Sequence, residues 1–428
     1  MGPMFGDLLR RHRASAGFTQ EDLAYRTGLT PQAVGLLERG ERRRPHAYTV
    51  QKLAEALGLG GWDLTQFEAA ARRRSGHQVP MGPTHPNLPT ILTPLVGREH
   101  EVAAVTDLLA QEDVRLLTLT GPGGVGKTRL AIEVAGRSRG TFVDGLAFVP
   151  LASLGDTAVV PSALAGALQI VERAGQPLVE TLKNDLRDRR MLVVLDNFEH
   201  LLEAAPLVAE LLGACSGLTV LTTSRAPLHL TGERQFSLLP PPSTGHPSIL
   251  ADASHQPAAV ELFCQRARAV APAFALTAGN VTTISEICQR LDGLPLAIEL
   301  AATRIKLFPP GALLDRLDHR LQLLSGGARD LPERQRTLRD AIVWSYDLLD
   351  ADAQVLFRRL SVFAGGCTLD AVENVCGSET DENLLEALAS LVDNSLLVSR
   401  SEDSAGRGDE EPRFVMLETI REYAVEQL

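Results

Sequence analysis

The sequence predicts a multidomain chain: an all-α head, an α/β core on a parallel sheet, a helical subdomain, and a last subdomain of helices with a hairpin. Three observations predict it. Helical periodicity dominates residues 1–75. A glycine-rich loop then stands between a strand-length apolar run and a helical run, within 114–138. Helical spacing returns beyond residue 245 and gives way to two short apolar segments near 395–417. At 428 residues and 44% apolar, the chain has room for three or four domains with separate cores.

Charge is distributed unevenly. The chain carries a net −11, but residues 1–75 carry +4 and the remainder −15. The acidic body excludes a protein that coats nucleic acid along its whole length. The basic head points to an N-terminal nucleic-acid module, although charge alone fits a solvated helical face equally well. Cys215, Cys264, Cys288, Cys367 and Cys376 are odd in number and form no CxxC pair. Neither a disulfide framework nor a zinc site is indicated, and reduced thiols in the cytoplasm are expected. Arg10, Arg11 and Arg13 interrupt any signal-peptide run, and no apolar stretch of about 18 residues exists to span a membrane.

In the head (1–75), Thr19 and Asp22 form a capping box that opens a helix through "QEDLAYRT". Gly28 supplies a turn. Thr30 caps a second helix, with Pro31 at its first position, where a missing N–H costs nothing. Ala24, Gly28 and Val34 fall where a helix-turn-helix needs a small residue, a turn glycine and a buried branched residue. Leu23, Leu37, Leu53 and Leu57 supply a core. The stretch "GFTQEDLAYRTGLTPQAVGLLERGERRRP" resembles the phage-repressor and Cro type of helix-turn-helix domain. The resemblance implies a recognition helix from Thr30 to Arg39, with Gln32 placed to pair with adenine and Arg39, Arg42, Arg43 and Arg44 placed on phosphates. Gly35 and Leu36 fall at groove-facing positions and offer no side-chain hydrogen bonds. A helical head that binds protein instead of DNA remains the alternative.

Residues 76–93 form a spacer. Pro80, Pro83, Pro86 and Pro89 recur every third residue, the repeat of a polyproline II helix, which makes a semi-rigid connector of about 3 Å per residue.

The core is expected over 94–245. "VRLLTLT" is a buried-strand run, "GPGGVGKT" follows at once, and "RLAIEVAGRS" continues with helical spacing. That order is the context a phosphate-binding P-loop requires. Gly121, Gly123, Gly124 and Gly126 allow backbone N–H groups to close around phosphate oxygens, with Val125 and Arg129 in the same cradle. Lys127 reaches the β and γ phosphates, and the Thr128 hydroxyl ligates Mg²⁺. "RRMLVVLDN" supplies a second strand ending in Asp196, the second magnesium-side group. "LTVLTTSR" supplies a third. Arg225, just beyond it, reads as a γ-phosphate sensor or as a surface cation, and the strand end favours the sensor. Asn197 is no base. Glu199 either polarises the attacking water or serves the start of the next helix. Slow hydrolysis follows, with Lys127, Asp196, Glu199 and Arg225 as the candidate catalytic set.

The order "LVGRE", "GPGGVGKT", "LVVLDNFEH", "LTTSR" and "GLPLA" resembles the NB-ARC class of STAND signal-transduction ATPases over residues 94–428. The resemblance implies ADP or ATP with Mg²⁺ as ligands. It puts Val96 and Arg98 near the adenine and the nucleotide, and Pro295 against the base or ribose. It implies a helical domain (246–322) and a winged helix (323–428) that folds over the nucleotide. Where the family often carries Met-His-Asp, this chain has Met416, Leu417 and Glu418, and leucine cannot bond a phosphate. The reading is an ATP/ADP-switched DNA-binding transcriptional regulator. It is expected to be a monomer with ADP and a homo-oligomer when active, with a sensor domain beyond residue 428. An NLR-like defence sensor with a protein-recruiting head, and an AAA-type motor, are the alternatives.

Overall fold

The computed structural model describes residues 5–16, 18–27, 31–38, 47–57, 88–173, 175–241, 257–326, 336–376, 383–400 and 412–428. The chain divides into two units, Met1–Gly82 and Pro83–Leu428.

In the first unit, helices α1 (Phe5–Ser15), α2 (Gln20–Thr27), α3 (Pro31–Glu38) and α4 (Ala47–Ala56) surround one small core. Leu9, Leu23, Val34 and Leu53 are fully enclosed there, and Ala24 and Leu37 nearly so. The expected capping box is present: the Thr19 N–H donates to Asp22 Oδ2 at 2.9 Å, and the Asp22 N–H donates to Thr19 Oγ1 at 3.1 Å. Gly35 of α3 is buried. A charge is buried as well. Glu38, 5% exposed, accepts from Arg13 Nε at 2.6 Å and from Gln20 Nε2 at 2.6 Å, which ties α1 and α2 to the end of α3. Burial alone would raise its pKa, but the bonds from Arg13 and Gln20 outweigh burial and hold the carboxyl below its ordinary value.

The second unit begins with α5 (Glu99–Ala110) and the nucleotide-type core. Strands β1 (Leu116–Thr120), β2 (Leu146–Pro150), β3 (Met191–Asp196), β4 (Leu218–Thr223) and β5 (Glu233–Ser237) form one sheet in the order β2-β3-β4-β1-β5, and every pairing is parallel. Helices α6 (Lys127–Arg137), α7 (Val160–Leu168), α8 (Leu178–Leu186) and α9 (Ala205–Ala214) cover it. All residues of β1, β3 and β4 are buried, as strands covered on both faces must be, which is why they read as continuous apolar runs. The segment expected as the second strand is the third in chain order. "LAFVP" forms β2 at one edge and "ERQFS" forms β5 at the other. The edge strand β5 exposes most of its length and carries one apolar residue, Phe236, so it gave no periodic signal.

Three long helices follow: α10 (Ala258–Val270), α11 (Val281–Arg290) and α12 (Pro295–Thr303), then the short α13 (Pro310–Leu314) and α14 (Arg320–Leu323). The last part holds α15 (Leu338–Tyr346), α16 (Ala351–Leu360), α17 (Leu369–Cys376), α18 (Leu384–Asp393), the antiparallel pair β6 (Val398–Arg400) and β7 (Arg413–Val415), and α19 (Glu418–Gln427). Helices plus a small hairpin make the expected winged helix. All five cysteines are buried and none is in a disulfide. No described helix is long and apolar enough to cross a membrane.

The glycine loop after β1 is packed against α12. The Leu296 N–H donates to the Gly124 carbonyl at 3.2 Å. Gly124 has φ +81, and a Cβ there would meet Leu296 Cβ at 2.6 Å. Gly124→Ala should therefore lower stability by about 1–3 kcal/mol through backbone strain alone, with the collision adding to it. Calorimetric melting of the variant against the parent checks this.

Glu38 gives a second expectation. Its depressed pKa means that its contribution is present above the ordinary carboxylate range and is lost as pH falls through the folded-state value. Glu38→Gln should destabilise the head by about 2 kcal/mol near neutral pH, the scale of a hydrogen bond to a charged group. Hydrogen exchange over α1–α3 should show the loss, and it should shrink under acid.

Candidate nucleotide-binding site

Parallel pairing brings the functional groups to one edge of the sheet. Leu195 pairs with Thr222 and Leu119 pairs with Thr223, so the carboxyl ends of β3, β4 and β1 lie level. Ligands gather outside such strand ends. The loop from Gly121 to Gly126 leaves β1 there and runs into α6. Gly121, Gly124 and Gly126 have positive φ, the backbone conformation that a phosphate-cradling loop uses. Lys127, 8% exposed, arches back over the loop, with Nζ at 2.5 Å from the Gly121 carbonyl and 3.2 Å from that of Pro122. Val125 is buried and packs under the loop, its Cγ1 3.3 Å from where a Cβ on Gly121 would stand.

Asp196 and Thr128 lie side by side. Thr128 Oγ1 donates to Asp196 Oδ1 at 2.7 Å. Thr223, which sequence reasoning did not single out, donates to the same oxygen at 2.7 Å, and itself accepts from the Asn197 N–H at 2.9 Å. Strand alternation accounts for Thr223: its side chain must share the Asp196 face once β3 and β4 pair. A hydroxyl and a carboxylate side by side are hard oxygen donors of the kind Mg²⁺ takes, so the residues present fit the ion.

Glu199 and Arg225 are both 4% exposed and form an ion pair, Oε1 to Nε 3.5 Å. Glu199 sits in a tight turn, Phe198–His200, and faces Arg225. The Asn197 amide reaches the same Glu199 oxygen at 3.4 Å. Arg225 is therefore no surface cation. Its Nη1 donates to the Ala341 carbonyl of α15 at 2.8 Å, and a methyl group placed on Gly123 would meet its Nη2 at 3.0 Å. Ser395, just past α18, donates to the Arg225 carbonyl at 2.9 Å. One guanidinium thus lies beside the glycine loop, pairs with Glu199 and bonds α15.

The "LVGRE" residues lie across the loop. Arg98, 5% exposed, pairs with Glu101 and donates to the Leu239 carbonyl at 2.6 Å and to that of Val125 at 3.4 Å. Val96 is half-buried against the main core. Pro295 opens α12, one residue before the Leu296 N–H that bonds Gly124. Arg129 departs from the expectation for its side chain. It donates to the Thr93 carbonyl and hydroxyl at 2.7 Å each, to the Pro94 carbonyl at 3.0 Å and to Glu299 at 3.3 Å, so it straps the incoming chain to α6. Burial lowers the Arg129 pKa, and Glu299 offsets this only in part. Leu417, 8% exposed, belongs to the apolar core. In the head, Thr30, Arg39, Arg42, Arg43 and Arg44 lie outside the described residues, as does the side chain of Gln32, although its backbone is in α3.

Family models match the chain in three places: a helix-turn-helix domain over 4–67, an NB-ARC domain over 98–227 and a winged helix-turn-helix domain over 349–428. A provisionally named HTH-type transcriptional regulator of Mycobacterium tuberculosis is 46% identical over 324 residues, 75% of this chain and 34% of its own length. An uncharacterized protein of the same species is 38% identical over 341 residues, 79% of this chain and 82% of its own length. The regulatory protein AfsR of Streptomyces griseus is 28% identical over 336 residues, 73% of this chain and 31% of its own. This chain thus spans about a third of the length of the regulators it matches. Among solved structures, a STAND protein with a tetratricopeptide repeat sensor from Pyrococcus horikoshii aligns with 79% of this chain and 43% of its own, at 14% identity and a TM-score of 0.33. With the glycine loop, the strand-end aspartate and the "GLPLA" helix meeting at one end of the sheet, and the NB-ARC match lying over that core, the chain is an NB-ARC-domain protein, with a helix-turn-helix domain ahead of the core and a winged helix behind it.

Proposed function

We propose that this chain is an ATP/ADP-switched, DNA-binding transcriptional regulator of the cytoplasm, closed and monomeric with ADP and oligomeric once ADP is exchanged for ATP. One observation carries the reading: Arg225 lies on the glycine loop while bonded to a winged-helix carbonyl, Ala341. A bound nucleotide supplies a phosphate chain and, with Mg²⁺, a charge to be held. Lys127 and the loop N–H groups bind the β phosphate, and Thr128 and Asp196 hold the ion. Val96, Arg98 and Pro295 border the base and ribose. Arg225 is placed to exchange the Ala341 carbonyl for a γ-phosphate oxygen, a stronger, charged acceptor. That exchange would release α15, so the winged helix is the two-state element. Its ion pair with Arg225 makes Glu199 a poor proton acceptor, and Asn197 is none, so turnover is slow. The domain limits proposed are 1–75, 76–93, 94–245, 246–322 and 323–428. The names of the mycobacterial and Streptomyces relatives support regulation of transcription, with DNA read by the head.

The direct test is to denature the purified protein, chromatograph what it releases, and sediment the native sample. ADP from a monomer is expected. Nucleotide-free protein, or ATP in a ring-sized particle, would contradict the reading and favour a motor.

Two substitutions separate binding from turnover. Lys127→Ala should weaken ATP by about 10- to 100-fold, the worth of a lost charged hydrogen bond, as measured by titration calorimetry. Asp196→Asn should slow magnesium-dependent hydrolysis far more than it weakens ADP. Equal effects on both would move the ion to another acid.

For the head, replacing Arg42, Arg43 and Arg44 together by Ala should flatten the plot of log affinity for DNA against log salt. The slope should change by up to about 2.7, or about 0.9 per phosphate contact. A parent protein that shifts no DNA at low salt would favour a protein-recruiting head.

A further inference from the structure

Helix α19 begins without a cap of its own. Leu417 stands at its N-cap, and its side chain can accept nothing from the first-turn N–H groups. The acceptor comes from another subdomain. The Glu418 N–H donates to Asp292 Oδ1 at 3.1 Å and the Thr419 N–H donates to Asp292 Oδ2 at 2.7 Å. Both carboxylate oxygens are thus used on the positive end of a ten-residue helix. Asp292 itself is held in a left-handed turn, φ 54, followed by Gly293 at φ 67. A Cβ on Gly293 would meet the Pro241 carbonyl at 2.4 Å, so the turn packs directly on the segment after β5. Three residues later Pro295 opens α12, whose next N–H bonds Gly124 of the phosphate loop.

We propose that Asp292 is the positioning residue that keeps the winged helix closed on the nucleotide side in this chain. It does so through backbone N–H groups, in place of the histidine-to-phosphate contact that Leu417 cannot make. The lock is then protein to protein, and it ends one turn from the loop that holds the phosphates. Flanking contacts keep the fold without it: Arg320 donates to Glu422 at 2.6 Å, and Glu422 accepts from the Leu321 N–H at 3.3 Å. Asp292 touches no reacting atom.

This inference rests on the nucleotide-switch reading, and its test separates the two. The full chain is loaded with a fluorescent ADP analogue and chased with excess ADP, for the parent, Asp292→Ala and Asp292→Asn. Amide exchange across 417–421 is followed in each without nucleotide, and melting confirms that each is folded. Asp292→Ala should release the analogue about tenfold faster and lose protection at 417–421, as expected for removal of a helix cap. Asp292→Asn, which keeps one neutral acceptor oxygen, should recover part of both. A folded Asp292→Ala protein with parental release and parental protection overturns the proposal while leaving the switch intact. A parent that holds no ADP overturns the switch, and the exchange measurement still decides whether Asp292 braces α19.

Discussion

The glycine loop has no spare room at Gly121, Gly123 and Gly124, and the rest of the second unit packs up to that limit. A methyl group on Gly121 would stand 2.4 Å from the Leu238 carbonyl, one on Gly124 2.6 Å from Leu296, and one on Gly123 3.0 Å from Arg225. Each neighbour reaches the loop from a different direction: the segment after β5, the first turn of α12, and the end of β4. A loop that curls around phosphate must expose its backbone, and only glycine lets other chain segments approach that backbone so closely. The loop therefore serves as a binding surface and as the joint where the core meets the helical subdomain.

Packing of this kind converts small displacements into discrete ones, because tightly packed interfaces shift between arrangements and do not deform smoothly. The Arg225 guanidinium joins two elements, pairing with Glu199 and donating to the Ala341 carbonyl, with its Nη2 beside Gly123 of the loop. On the other side, Asp292 joins α19 to the turn before α12. The last subdomain is held at Ala341 and at α19, and again where Glu422 accepts from Arg320 and from the Leu321 N–H. The acids are likewise committed: Asp196 to Thr128 and Thr223, Glu199 to Arg225.

Much of this was legible in the sequence, and the reason is local. The strand, glycine loop and helix of 116–137 are consecutive, so apolar run, glycine spacing and helical spacing name them together. Asp196 ends an apolar run that must be a covered strand, and Thr19 and Asp22 cap α2 within four residues. Strand β2, as long as β1, went unread because no glycine loop or acid follows it to mark it, and β5 because a half-exposed edge strand needs no apolar pattern.

What the chain order cannot carry is convergence between distant backbone atoms. The Ala341 carbonyl lies 116 residues from Arg225, and the amides of Glu418 and Thr419 lie 126 and 127 residues from Asp292. A carbonyl or an N–H is present at nearly every residue, so nothing in the sequence marks the one that will be used. By itself the sequence determined the residue types that can hold phosphate, metal and DNA, since those depend on side-chain chemistry and near spacing. Only the tertiary structure decided that Arg129 straps the incoming chain, that Glu199 is spent on Arg225 and that Asp292 caps α19. Each of those depends on which buried groups meet once the subdomains pack, and a buried polar group must take the partner that packing presents.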